Sequence, residues 1–198
     1  LSTNPTNSIR EKGDTVASVT LNATTVKRLN DITEVRFYRN GALVNIVNPA
    51  TAGGGAESYV SAVPFSDTTS FYAQVTDGTG TGTSSTITHT FVYPYYSGAG
   101  VPGLTAAQVA ALTKDVRSST SSLNKSFTTA NDDVYYFAYP ASYGALSSIL
   151  DENAFQTFGD WTLRTENITG LDGNAVSYRI YEFNNPVVAG TTNYTFIR

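Results

Sequence analysis

The chain has 198 residues, and charged residues make up only 14% of it, against about 25% in a typical globular domain. Its net charge is -4 and its basic residues are dispersed, which excludes the clustered Lys and Arg that a nucleic-acid partner requires. Cysteine is absent, which excludes a disulfide framework and a thiolate metal site. No apolar stretch reaches the ~20 residues of a membrane helix, so we expect no membrane span.

The N-terminal part of the chain has the pattern of an antiparallel β protein. Residues 1–13 are polar and without periodicity, so they are predicted to be a linker or arm, and the absence of methionine indicates a processed product or a C-terminal piece. Short strands with turn residues between them predict a β-sandwich over residues 14–93. The clearest hairpin signal is Asn40-Gly41, because both residues tolerate the positive φ of a type I′ turn. Residues 50–57 (ATAGGGAE) are predicted to form a loop.

Residues 94–130 are predicted to be a boundary that contains one short helix. Leu104, Val109, Leu112 and Val116 recur at helical spacing, which predicts a helix over residues 106–116. Thr105 is a suitable N-cap, and Gln108 three residues later completes a capping-box pattern.

Residues 131–198 are predicted to be a small domain of order β-α-β-β-β. The strands are expected at 134–139, 161–168, 175–183 and 193–197, and the helix at 143–155. The fold class is therefore mainly β: an N-terminal immunoglobulin-like antiparallel β-sandwich followed by a small β-rich α+β C-terminal domain. The likeness of the first part to immunoglobulin-like bacterial and phage modules is one of strand pattern.

Catalytic and metal-binding chemistry has few candidates in this sequence. His89 is the only histidine and lies in an alternating strand among threonines, where a solvent-facing position is favoured over a metal or catalytic role. Two carboxylate pairs have the residue types of a glycosidase, but both lie where solvated acids are common: Asp132 with Asp133, and Asp151 with Glu152. A hairpin turn accounts for Asp172-Gly173-Asn174 without calcium. We predict no enzyme activity and no cofactor or metal.

Aromatic residues are the main candidates for a functional surface. The tyrosines cluster near residues 93–96 and 135–143, and the only tryptophan is Trp161. A ring with a polar group suits subunit interfaces and sugar-stacking platforms as well as cores. Packing within and between domains is favoured, while subunit contact and glycan or receptor binding remain open. The candidate contact residues are Tyr93, Tyr95, Tyr96, Tyr143 and Trp161.

The run YYFAYPASYGALSSILDENAFQTFGDWTLRTENITGLDGNAVSYRIYEFNNP resembles a C-terminal module of bacteriophage tail-fibre, appendage or baseplate-associated proteins, particularly of phages that infect Bacteroidetes. The preceding phrase FVYPYYSG, at residues 91–98, is similar to the end of the immunoglobulin-like unit that often precedes this module. The resemblance covers roughly residues 16–198, and it carries no catalytic motif.

The resemblance implies a non-enzymatic virion protein that acts in assembly and in attachment to the host surface. Its implied partners are other copies of itself, with a trimer as the leading expectation, other virion proteins, and a host-surface glycan or receptor. The implied location is the virion, an extracellular particle. The alternative is a secreted or surface-bound bacterial carbohydrate-binding or adhesin module.

Overall fold

A computed structural model describes residues 1–6, 8–27, 29–49 and 53–198 of the chain. The protein is mainly β, as predicted. It divides into two compact units. The first consists of Leu1–Arg10 and Asp14–Phe91, and the second of Glu11–Gly13 and Val92–Arg198. Among the described residues, no helix is long and apolar enough to cross a membrane.

The first unit is built from two sheets. Its strands are β1 Ser2–Asn4, β2 Ile9–Glu11, β3 Val19–Thr24, β4 Ile32–Arg39, β5 Ala42–Val47, β6 Ala56–Ser61, β7 Thr69–Asp77, β8 Gly80–Thr83 and β9 Ile87–Val92. One sheet is three-stranded and antiparallel, in the order β1-β3-β6. The other has the order β2-β9-β7-β4-β5, and β8 also pairs with β7.

The core of the first unit comes from alternate residues of strands in both sheets. On β4 and β7 the buried side chains of Val35, Phe37 and Phe71 alternate with partly exposed residues, as expected for sheets with one solvated face. Residues Val19 and Leu21 of β3 belong to the same cluster. The two sheets therefore share one hydrophobic core.

The predicted turn between β4 and β5 is confirmed. Asn40 and Gly41 have φ values of 49° and 81°, and Arg39 pairs with Ala42 across the two-residue loop. Positive φ at both central positions is the requirement of a type I′ turn.

Two predictions for the N-terminal part need correction. Residues 1–13 contain β1 and β2 instead of an unstructured linker or arm, because β1 pairs with β3 and β2 extends the larger sheet. Polar residues suit these three-residue edge strands. In the predicted loop at 50–57, β6 already begins at Ala56, whereas residues 50–52 lie outside the described residues.

The second unit contains a five-stranded and a three-stranded sheet. The elements are β10 Tyr95–Gly100, α1 Ala106–Val109, β11 Thr113–Asp115, β12 Ser122–Thr129, β13 Val134–Pro140, β14 Ser148–Leu150, β15 Trp161–Thr169, β16 Ala175–Phe183 and β17 Gly190–Ile197, with 3-10 turns at Ala141–Tyr143 and Phe158–Asp160. The five-stranded sheet has the order β11-β10-β13-β16-β15 and the three-stranded sheet the order β12-β17-β14, with antiparallel pairing throughout.

Strand β13 is buried along its whole length. Tyr135, Phe137 and Tyr139 belong to a cluster shared with the three-stranded sheet. On the opposite face, Tyr136 and Ala138 pack against Val109 of α1. The five-stranded sheet is thus the middle of three layers, and burial on both faces explains the continuous apolar run in the sequence.

The predicted boundary at 94–130 is correct in its helix cap but wrong in its extent. Thr105 and Gln108 form the capping box, yet the helix ends at Val109, because residues 113–115 pair with β10 instead. Residues 95–100 form an inner strand of the five-stranded sheet, and residues 122–129 form β12.

The predicted helix at 143–155 is wrong, so the order β-α-β-β-β does not hold. Gly144 has a φ of 96°, and residues 148–150 form β14 at the edge of the three-stranded sheet. Leu146 and Ile149 are nevertheless both buried in the core of the second unit. The spacing of the apolar residues alone did not distinguish a helix from a strand here.

Candidate functional site

Tyr95 and Tyr96 lie on opposite faces of the five-stranded sheet. Neighbouring residues of a strand point to opposite sides, so Tyr95 packs on Phe137, with ring centroids 6.0 Å apart, whereas Tyr96 packs on Tyr178 at 5.6 Å. Their exposed fractions are 2% and 3%. Both rings are core residues of the second unit and are not available to a ligand in this conformation.

Trp161 is also part of the core between the two sheets. Its ring contacts Tyr194 at 5.2 Å and Phe183 at 5.3 Å, both edge to face, and 7% of the residue is exposed. Its indole N–H has no hydrogen-bond partner among the described residues. A ring enclosed in this way stabilises packing and does not provide a sugar-stacking platform.

Tyr93 and Tyr143 are half-buried and lie together. The Tyr143 hydroxyl donates to the Tyr93 carbonyl at 3.3 Å, and the Tyr93 hydroxyl donates to Asp172 Oδ2 at 2.7 Å. This hydrogen bond raises the pKa of Tyr93 and lowers the pKa of Asp172. Both hydroxyls are thus engaged in holding the turn at residues 170–174 and the strand entry at residue 93.

Burial keeps several other tyrosines of the second unit protonated. It raises the pKa of Tyr139 and Tyr178 far above the ordinary value, and raises the pKa of Tyr194 to about 12. A phenol in this state donates hydrogen bonds, as Tyr178 does to the Pro94 carbonyl at 3.0 Å. These hydroxyls stabilise the fold and are poorly suited to act as bases or nucleophiles.

His89 does not face solvent, which corrects the prediction made for it. The residue is fully buried, and its ring lies edge-on against Phe65 at 5.6 Å and Phe71 at 5.9 Å. Neither ring nitrogen has a hydrogen-bond partner among the described residues. Burial, followed by the charge of Arg10, lowers the pKa of His89, so the neutral imidazole serves as an apolar core group.

The predicted carboxylate pairs occupy turns. Asp133 Oδ2 accepts from the Ala130 amide at 3.0 Å, and Asp132 has a φ of 68°. Asp151 Oδ1 accepts from the amides of Asn153 and Phe155, both at 2.9 Å. Within the described ranges, no group of three or more His, Cys, Asp or Glu side chains is placed to hold a metal ion.

A groove in the second unit, lined by both polar and apolar residues, was not predicted from the sequence. Its volume is about 420 Å³ and it lies beside β17 and the turn that follows β14. Its lining includes Asn124, Asp151, Glu152, Asn193 and Thr195. The Thr195 hydroxyl donates to Asn124 Oδ1 at 2.8 Å. Carboxylate, amide and hydroxyl groups in one concave surface can bind a polyhydroxylated ligand through hydrogen bonds.

A tyrosine pair on the first unit was also not predicted. Tyr38 of β4 and Tyr72 of β7 are directly opposite each other, and their rings stack at 4.6 Å with an interplanar angle of 5°. Each follows a fully buried phenylalanine, so each points to the outer face of the sheet. That alternation was the signal in the sequence that could have found them.

The comparisons with known proteins give no relative. No protein-family model, no curated protein and no solved structure matches the chain.

Proposed function

We propose that this chain is a non-enzymatic structural protein of a virion, a phage tail-fibre, appendage or tail-associated subunit that acts in assembly and in attachment to the host surface. The observation that carries the proposal is the packing of the sequence run that resembles phage modules. Its aromatic residues form a core between two sheets, so the outer surfaces of this unit, and not these rings, are left for contacts.

The first unit fits the same role. Two sheets around one core support an immunoglobulin-like sandwich, a common spacer and docking module of surface assemblies. The proposed partners are further copies of this chain in a symmetric array, with a trimer as the leading arrangement, together with other virion proteins. Multiplicity would then supply avidity that a single weak contact lacks.

Density-gradient sedimentation of particles from the source culture tests this proposal. We expect the chain, detected by antibody, to sediment with the DNA-containing particles at a fixed ratio to a major virion protein. A chain that stays at the top of the gradient, free of particles, would contradict the proposal.

A second candidate, a secreted or surface-bound carbohydrate-binding module, is favoured by the groove beside β17, whose lining combines polar and apolar groups. Its hydrogen-bonding groups suit a glycan, and Phe155, which is 69% exposed, lies next in the chain to a lining residue, Ala154. The groove would also serve host attachment by a virion protein. Glycan binding therefore supports a recognition role in either case. The density-gradient experiment decides whether the groove belongs to a virion protein or to a secreted or surface-bound module.

A glycan array with the whole chain tests the groove. We expect saturable binding that falls at least about tenfold, or about 1.4 kcal/mol, in Glu152→Gln and Asn193→Ala. Asn167→Ala is the control, because Asn167 is an exposed amide on β15, outside the groove lining. Equal binding by all three variants would exclude the groove as the binding site.

A further inference from the structure

The groove beside β17 carries negative charge. Its lining contains the carboxylates of Asp151 and Glu152, and none of the described residues that line it is basic. Neither carboxylate forms an ion pair with a described Lys or Arg side chain. Charge of one sign in a concave surface raises the local concentration of ligands of the opposite sign.

The basic residues nearest to the groove along the chain are bound elsewhere. Lys125 follows the lining residue Asn124, but neighbouring residues of a strand point to opposite faces. The Lys125 ammonium is mostly buried and donates to Asp115. Arg198 follows β17, and its guanidinium donates to the Tyr143 carbonyl at 2.7 Å. Both cations therefore leave the charge of the groove uncompensated.

The position of Asp151 is fixed by the backbone of its own turn. Its Oδ1 accepts from the amides of Asn153 and Phe155, both at 2.9 Å. The Asp151 amide donates to the Phe155 carbonyl at 3.0 Å, which closes the turn. Oδ2 receives no hydrogen bond from a described residue, and Glu152, the next residue, is exposed. The groove thus offers a fixed carboxylate beside a freely rotating one.

The negative field extends over the Tyr194 side chain, which belongs to the same lining. Burial, followed by Tyr135 and the charges of Asp151, Asp160 and Glu152, raises the pKa of Tyr194 to about 12. Asp160 lies in the 3-10 turn before β15. Three carboxylates therefore act on one side of this unit, where a cation is stabilised and an anion is repelled.

Neutral hydrogen-bonding groups lie beside these charges. Asn124 and Thr195 are directly opposite each other in the sheet, and Asn193, two residues before Thr195, points to the same face. The Thr195 hydroxyl donates to Asn124 Oδ1 at 2.8 Å, which leaves the Asn124 NH₂ group to donate to a ligand. Adjacent neutral donors and acceptors suit the hydroxyls of a sugar, whereas a lysine side chain carries one polar group on an apolar stem.

We propose that the groove binds a glycan through a positively charged amino group of the sugar. The ammonium group donates to Asp151 and Glu152, and neighbouring hydroxyls bind Asn124 and Asn193. Hydrogen bonds between an ammonium and a carboxylate are shorter and stronger than neutral ones. Glycans that carry carboxylate, sulfate or phosphate groups are disfavoured, because their charge has the same sign as that of the groove.

The inference rests on the glycan recognition proposed above, for which it names the class of ligand. Ion pairs open to solvent contribute little, so the preference for an amino sugar should be modest, at least about fivefold at low salt. It should disappear at high salt, because the Debye length falls from about 10 Å at 0.1 M to about 3 Å at 1 M.

Isothermal titration calorimetry of the whole chain tests the preference with two matched ligands. One is a β-1,4-linked tetramer of glucosamine, and the other is its N-acetylated counterpart, which has no charge. At about pH 6 the carboxylates are ionised and the sugar amines are protonated. We expect the glucosamine tetramer to bind at least about fivefold more tightly in about 0.05 M salt, and the two affinities to converge in about 1 M salt.

Glu152→Gln removes one charge of the groove and keeps the shape of the side chain. We expect the preference for the glucosamine tetramer to fall below about twofold in this variant. Asp132→Asn is the matched control, because it removes the charge of an exposed carboxylate of the same unit outside the groove lining. The preference should be unchanged in Asp132→Asn.

Three results would overturn the inference: equal affinity for the two tetramers, a preference that Glu152→Gln leaves intact, or no binding of the glucosamine tetramer. The unaltered chain decides the first and the third without any variant. If the glycan array still shows binding that depends on the groove, glycan recognition stands without a charge preference. If no glycan binds at all, glycan recognition by the groove fails as well, and the virion role still rests on the sedimentation experiment.

Discussion

His89 is a buried imidazole without a hydrogen-bond partner among the described residues, and its protonation should therefore destabilise the first unit. Its pKa in the folded chain lies below the ordinary value of 6.5. As the pH falls below about 6.5, the unfolded chain binds the proton first, so the free energy of unfolding decreases until the lower folded-state pKa is passed.

Replacement of His89 by phenylalanine tests this linkage. His89→Phe keeps an aromatic ring beside Phe65 and Phe71 but removes the titration. We expect the loss of stability between pH 7.5 and pH 5, measured by urea unfolding with far-UV circular dichroism, to be smaller in the variant than in the unaltered chain. The same pH dependence in both proteins would show that His89 does not titrate on unfolding.

Gly13 is held by a close backbone approach within the second unit. Its φ is 109°, and a Cβ atom at this position would lie 2.4 Å from the Asp172 amide nitrogen. Gly13→Ala therefore combines a disfavoured backbone conformation with a steric clash, and should destabilise this unit by about 1–3 kcal/mol.

Trp161 fluorescence provides the measurement for Gly13→Ala, because the chain contains one tryptophan and it lies in the second unit. Gly190→Ala is the control, since nothing lies within 4 Å of a Cβ there. Equal unfolding midpoints for the two variants would contradict the close approach at residue 13.

At the scale of elements, β14 shows where sequence reasoning failed. Leu146 and Ile149 occur at a spacing that suits a helix, and both are buried. The local sequence pattern did not show which residue pairs with Ile149, because its partner Phe196 lies 47 positions later in the chain. A three-residue edge strand is decided by such a distant contact and has too few residues for an alternation signal.

Ile149 makes β14 testable. The residue is fully buried in the core between the two sheets, so Ile149→Ala should lower the free energy of unfolding by about 2–4 kcal/mol. Val188→Ala, at a valine that is 81% exposed, should change it by less than about 0.5 kcal/mol. Urea unfolding monitored by Trp161 fluorescence compares the two, and similar small effects would contradict the burial of β14.

The elements that were predicted well have strong local signals. The turn at Asn40-Gly41 needs positive φ, which few residue pairs tolerate, and the cap at Thr105 needs only a residue three positions away. The face of each aromatic residue was harder to predict. Tyr95 and Trp161 were candidates for contact because their hydroxyl and N–H groups suit an interface, but the second sheet covers both.

At the scale of the whole molecule, the conspicuous aromatic residues and the candidate contact surface are different parts of the chain. Most of the clustered aromatic residues at 93–96 and 135–143 lie inside the second unit. The groups available to a partner are less conspicuous in the sequence, as in the groove beside β17. Its lining residues lie between positions 124 and 195, so a single sequence gives little indication of it.

Immunogold electron microscopy of intact particles tests the central claim most directly. With an antibody against the whole chain, we expect gold at the tail, or at an appendage of the particle, at a constant position from one particle to the next. Gold confined to the bacterial cell surface, with unlabelled particles in the same field, would contradict the virion role and favour the carbohydrate-binding module.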